Sequence, residues 1–170
     1  MAMMMVIAVA FAGGATARPR TTHIGCKFVP HADCSHAALA SQNLSGKNLN
    51  HVNFSYAILN NADLSNANLK YANFSHTDLV ETFFDDAKLQ HANFTDAGAY
   101  TADFSYSDLT GANLTRADFT NSLFEFAYGK NARFIHTNLT KADLKYAKFP
   151  GAIFKDTTCP NGKLSTSKGC

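Results

Sequence analysis

Ala62-Asp63-Leu64-Ser65-Asn66, Ala67-Asn68-Leu69-Lys70-Tyr71 and Ala72-Asn73-Phe74-Ser75-His76 are three successive fives with one arrangement: a small residue, Asn or Asp, Leu or Phe, then two mostly polar positions. The arrangement extends in both directions, over residues 32–161. Taking the large apolar position as the centre, 22 of the 24 centres from Leu39 to Phe154 are Leu or Phe, and Ala99 and Gly129 are the exceptions. A chance pattern does not hold one register for that long, so the repeat decides the fold. A period of five fits neither a helix nor a single strand. Within each five, however, the small residue and the centre are two apart and share one face of an extended backbone. The remaining residues must turn the chain before the motif restarts, and a short extended segment followed by a turn, repeated, winds a coil.

These segments, together with Ala112-Asn113-Leu114-Thr115-Arg116, resemble the pentapeptide-repeat family. The resemblance covers about three quarters of the chain. It implies an all-β fold: a right-handed quadrilateral parallel β-helix with four pentapeptides per coil. Twenty-four repeats then make about six coils, a rod about 29 Å long at the usual strand spacing. Residues 20 apart stack, so one wall carries Phe54, Phe74, Phe94, Leu114, Phe134 and Phe154. The opposite wall carries Leu44, Leu64, Phe84, Phe104, Phe124 and Leu144. Burial of each centre contributes roughly 1.5–3 kcal/mol. Ala99 and Gly129 predict thin spots and local irregularity, with Tyr100, Phe126 and Tyr128 nearby.

The 170 residues suit one domain. Residues 1–17 stand apart. Met3 to Ala12 is apolar but too short to span a bilayer, and Gly13-Gly14-Ala15-Thr16-Ala17 offers a small-residue cleavage pattern. The stretch reads as a secretory signal peptide cleaved after Ala17, although no Lys or Arg precedes the apolar run. The competing reading is an apolar tail on a cytosolic protein. The expected organisation is signal peptide 1–17, N-terminal cap 18–31, β-helix 32–159 and C-terminal cap 160–170. No membrane span remains once the signal is removed, and the protein is expected to be secreted, extracellular or periplasmic.

Cys34 and Cys159 fall on the centre register at the two ends of the run, with Cys26 upstream and Cys170 last. The economical pairing is Cys26–Cys34 and Cys159–Cys170, each tying a cap onto an open coil end. The other two of the three connectivities need bonds along the rod unless the tails fold back. Cys26, His31, Cys34 and His36 cluster without zinc-type Cys spacing, so neither a metal nor another cofactor is expected. Stapled, Pro- and Gly-containing ends discourage end-to-end strand pairing, and a monomer is expected.

Asn53, Asn73, Asn93 and Asn113 align as a ladder beside Ser55, Ser75, Thr95 and Thr115. Such ladders stabilise stacked strands, and they also create sequons as a by-product of the repeat. His36, Tyr56 and His76 share one corner, and His51, Tyr71 and His91 another. Tyr106, Phe126 and Tyr146 share a third, with Tyr128 close by; these four are the candidate partner-binding residues. Stacked rings explain themselves structurally, and the functional alternative is a strip that binds a protein or glycan. Residues 61–125 carry ten acids against three bases, whereas residues 126–170 carry eight bases against two acids.

No phosphate-binding glycine loop, nucleophile elbow or HExxH occurs, and no catalytic role is assigned. The expectation is an exported, non-enzymatic structural or binding module whose partner is an unidentified protein or glycan. The resemblance supplies one alternative: some family members mimic DNA and bind gyrase, protecting it from quinolones. That role asks for a strongly acidic cytosolic rod, from which this chain departs with a net charge of +2. A second alternative is glycan or cell-wall binding through the Tyr106–Phe126–Tyr146 corner. Direct nucleic-acid binding lacks the sequence features of known modules.

Overall fold

The computed structural model describes residues 26–166 and 169–170. The signal peptide, residues 18–25 of the N-terminal cap, and Ser167 and Lys168 of the C-terminal cap lie outside the described residues. Regular structure within them is a ladder of parallel bridges, each joining a residue to the one 20 positions on, from Asp33↔Asn53 to Asn138↔Thr158. At one place the bridges lengthen into two parallel strands, β1 (Arg133–Ile135) and β2 (Ile153–Lys155). Bridges recur every five residues, so each coil of 20 has four sides. We name the sides by their outward residues. The asparagine face carries Asn53, Asn73, Asn93 and Asn113; the aspartate face opposite carries Asp63, Phe83, Asp103, Leu123 and Asp143. The lysine face carries Asn68, Lys88, Asp108, Tyr128 and Lys148, and the fourth face carries Ile58, Asp78, Gly98, Asp118 and Asn138.

Nearly every corner is a four-residue turn with one recipe. Ala57 N–H donates to Phe54 O at 3.0 Å, and Tyr56, the third turn residue, has φ 60°. Positive φ at that position is the signature of a type II turn. It recurs every fifth residue from His31 to Asp156, mostly without glycine. A left-handed non-glycine residue costs about 1–2 kcal/mol. The coil imposes it because the corner N–H then donates to the next coil, as Tyr56 does to Ser75 O at 3.0 Å. Thr101 is the least suited, being β-branched with φ 56°. Thr101→Gly is therefore expected to stabilise the rod by about 1 kcal/mol, read as a higher denaturation midpoint; an unchanged or lower midpoint would show that the corner is unstrained.

The largest side chains of the core are rings. Phe74 stacks on Phe94 at 4.9 Å and meets Phe84 of the opposite wall edge-on at 5.5 Å. The small position of each five is usually a buried Ala; where it is Thr or Ser, the hydroxyl must find an acceptor. Thr77, Thr82, Thr137 and Thr157 each donate to the carbonyl of a centre one coil back, at 2.6–2.8 Å. Ser122 bonds Ala99 O in the same way.

The irregularity expected at Ala99 and Gly129 does not occur, since Gly98↔Asp118 and Tyr128↔Lys148 keep the ladder unbroken. Both residues are buried. The reason is compensation by the next coil. Phe119, below Ala99, reaches Phe94, Phe104 and Phe124 edge-on. Phe149, below Gly129, occupies the space where a Cβ would lie, 2.6 Å from its ring.

The ends are closed differently. Cys26 is joined to Cys34, with Cα atoms 5.0 Å apart, and Phe28 packs partly buried against the first coil. At the other end, Cys159 is joined to Cys170 at a Cα separation of 5.3 Å, and the chain reverses through the antiparallel bridge Thr158↔Leu164. Among the described residues no helix is long and apolar enough to cross a membrane.

Candidate interaction surfaces

The asparagine ladder closes its own hydrogen bonds. Asn73 Nδ2 donates to Asn53 Oδ1 and Asn93 Nδ2 to Asn73 Oδ1, both at 3.1 Å. Each Oδ1 also accepts the backbone N–H two residues on, such as Ser55 N at 3.1 Å. The amides are thus occupied in holding coils together, and this face offers a partner mainly hydroxyls.

Its two edges are columns of rings. Along one, His31, His51, Tyr71 and His91 stack at 4.6, 4.7 and 5.0 Å. The column ends at Gly111, where an added Cβ would meet His91 Nδ1 at 2.6 Å, so the missing side chain leaves room for the last ring. His31 N–H donates to Asn50 O of the coil. That brings two histidines onto adjacent coils. Their rings are parallel within 9°, face on face, so their in-plane lone pairs do not converge on one ion. No group of three or more His, Cys, Asp or Glu among the described residues is placed to hold a metal ion.

The other edge begins with stacked His36, Tyr56 and His76 and then becomes ionic. Arg116 grips Asp96 with two hydrogen bonds of 2.7 Å, and His76 Nε2 lies 3.8 Å from the same carboxylate. The Arg116 hydrogen bond, aided by its charge and that of His76, holds the Asp96 carboxyl below its usual range against slight desolvation. Because the folded value is depressed, this contribution is present above the unfolded carboxylate range. It is lost as pH falls through the lower folded value. Arg116→Gln is therefore expected to reduce the drop in melting temperature between about pH 5 and about pH 2. An identical drop in both proteins would show that this exposed pair carries no linkage.

Tyr106, Phe126 and Tyr146 form the third column, stacked at 5.1 and 4.8 Å. Tyr128 stands apart on the lysine face, above Lys148. The column is well exposed, at 56%, 45% and 59%. Its ring faces are turned on one another, however, so it presents edges outward. Sugar rings stack on aromatic faces, and this arrangement leaves few of them.

Charge is sorted around the rod rather than only along it. The lysine face and its corner with the asparagine face carry Lys70, Lys88, Lys130 and Lys148 against Asp108, and its other corner, shared with the aspartate face, carries Asp85, Asp86 and Glu125. The aspartate face and its corners carry Asp63, Glu81, Asp85, Asp86, Asp103, Glu125 and Asp143, and Lys141 and Lys145 come only at its C-terminal end. Two apolar residues interrupt these acids: Phe83 and Leu123, 46% and 43% exposed. Sequence reading passed over both because each precedes a core Phe. Aligning every twentieth residue as Asp63, Phe83, Asp103, Leu123, Asp143 makes them visible.

A recess of about 440 Å³ at the C-terminal end is lined by Phe149, Phe154 and Thr166 among others, and among the described residues its lining includes no ionisable side chain.

The model of the pentapeptide repeats matches in eight copies, over residues 32–70, 67–97, 101–128 and 124–156. No curated protein sequence matches the chain. Among solved structures, a trypsin-treated form of QnrB1, a plasmid-mediated fluoroquinolone resistance protein, superposes with a TM-score of 0.61 at 16% identity; the alignment covers 87% of this chain and 82% of that one. At that identity the match shows a shared fold. A pentapeptide repeat protein from the Arabidopsis thaliana thylakoid lumen matches at 26% identity and a TM-score of 0.40, over 59% of this chain and 66% of that one. HetL, a pentapeptide repeat protein involved in heterocyst differentiation regulation in the cyanobacterium Nostoc sp. strain PCC 7120, matches at 19% identity and a TM-score of 0.31, over 79% and 92%.

Proposed function

The chain belongs to the pentapeptide-repeat family, and on that footing we propose that it is an exported, non-enzymatic binding module, a right-handed β-helical rod of about six coils acting as a monomer. The observation that carries this reading is the placement of two disulfides, one at each end of a continuous ladder. Disulfides persist in oxidising compartments and are rare in the reducing cytosol, and here both fasten the segments that close the rod. The sides between them display fixed columns of side chains one coil apart. Such a surface suits recognition of a macromolecular partner better than enclosure of a small substrate.

A second reading is gyrase protection, favoured by the QnrB1 superposition. Charge argues against it, because a duplex mimic needs acid on more than one side and this rod has a lysine face. Glycan binding at the Tyr106–Phe126–Tyr146 column is weakened by its stacked faces.

Fractionation of native cells followed by intact mass spectrometry tests the proposal. The expected product starts at Arg18, lacks four hydrogens relative to the reduced chain, and lies outside the cytoplasm. A full-length, reduced, cytosolic chain would overturn it, and gyrase protection would become the reading to assay.

A further inference from the structure

We propose that the aspartate face is the docking surface for a basic amphipathic helix laid along the rod, an inference that rests on the binding-module reading and names its partner class. Exposed apolar side chains set among charges mark interaction sites, and this face concentrates them: Phe83 and Leu123 on the face, Tyr106 and Phe126 along its rim. All the charges on it are acidic from Asp63 to Glu125. At the end of that run Lys145 approaches Glu125 at 4.0 Å and lies over the Tyr146 ring, marking the limit of the surface.

Spacing selects the shape of the occupant. The column Asp63, Phe83, Asp103, Leu123, Asp143 is built of adjacent coils, about 4.8 Å apart. Apolar side chains therefore recur about every 9.6 Å with a carboxylate midway. A helix rises about 10.5 Å over seven residues and about 4.5–6 Å over three or four. Apolar residues seven apart, with Lys or Arg three or four positions after each, fall into register with this column. A strand along the axis repeats its face about every 6.8 Å and does not. Neutral glycans leave the carboxylates without partners, and nucleic acid is repelled. The acidic part of the column, from Asp63 to Leu123, spans three coil steps, about 14 Å, which a helix of about ten residues covers.

The test uses the mature, disulfide-bonded chain and a synthetic helix-forming peptide of about fourteen residues. The peptide carries Leu at positions seven apart and Lys between them on the same face. A scrambled peptide of the same composition and an all-Glu counterpart serve as controls. Fluorescence anisotropy is expected to give salt-sensitive binding of the patterned peptide. The scrambled peptide, and separately the Phe83→Ser/Leu123→Ser variant, are each expected to weaken it about tenfold or more. Circular dichroism of the variant controls for folding, since both side chains point outward.

Equal binding of the scrambled peptide would reduce the face to a diffuse charge effect and overturn the proposal. So would unaltered binding by the variant. Self-association in sedimentation equilibrium that is abolished in the variant would also overturn it, by making a second copy the occupant. Export and disulfide state are read independently by fractionation and mass. A failed titration with an exported, oxidised chain therefore removes the helix alone, whereas a reduced cytosolic chain removes the module reading.

Discussion

Phe104→Ala is expected to lower stability by about 3–5 kcal/mol, the usual range for deleting a buried Phe ring. Phe104 is fully buried in the middle of the rod. Its ring stacks on Phe84 at 4.7 Å and Phe124 at 5.1 Å, and meets Phe94 and Phe119 edge-on at 5.6 and 5.4 Å. The consequence extends beyond the midpoint. Each coil contacts only its neighbours, so weakening a central coil uncouples the two halves. Guanidinium denaturation should show a lower midpoint together with a broader transition. Phe154→Ala, at the partly exposed end of the opposite wall, should cost less and leave the transition sharp. Equal effects at the two positions would contradict the column-like core.

The second large effect runs against the repeat itself. Gly129 occupies a position where nearly every other five has Leu or Phe. Restoring the pattern with Gly129→Leu is nevertheless expected to destabilise by about 1–3 kcal/mol or more, because overpacking forces neighbours off their rotamers. The new Cβ alone would lie 2.6 Å from Phe149 Cδ1 and 2.8 Å from Cε1. Phe149 meets Phe134 and Phe154 edge-on at 5.1 and 6.2 Å, so retreating toward the C-terminal recess it lines would give up these contacts. Phe149→Leu alone opens a void above Gly129. The double variant Gly129→Leu/Phe149→Leu should recover much of the loss, with a coupling of about 0.5–3 kcal/mol in the thermodynamic cycle. Additive losses would mean that the two positions do not share one volume.

Both predictions depend on reading the chain at two periods. The period of five identifies the buried column, and Leu64, Phe74 and Phe84 declare it by size alone. It does not disclose that Gly129 and Phe149 share one space, because their relation exists only across a coil of 20. The same limit hid the aspartate face. In chain order Phe83-Phe84 and Leu123-Phe124 look like doubled core residues, and only the outward parity of the first of each pair separates them. The asparagine ladder and the ring columns were legible, since like residues recur at 20. The left-handed corners were not. Among them only Gly46, Gly111 and Gly151 carry the usual residue for positive φ, while Tyr56, Glu81 and Phe126 adopt it with no local signature. There the hydrogen bond to the next coil decides, and propensity yields. The disulfide partners followed from register, because Cys34 and Cys159 sit at centres whose neighbours along the rod are the caps.

The four bridges per coil have a genetic corollary. A deletion of 20 residues removes one storey and leaves every remaining column in line. A deletion of five is different, although it too preserves the alternation of buried and outward positions. Everything downstream is turned by a quarter revolution, so lysine columns continue where aspartate columns stopped and histidine rings abut unrelated corners. The buried interior tolerates such a slip far better than the exterior does. In-frame changes by a multiple of five other than 20 are therefore phase errors: the rod survives them, while whatever reads its sides meets a different surface.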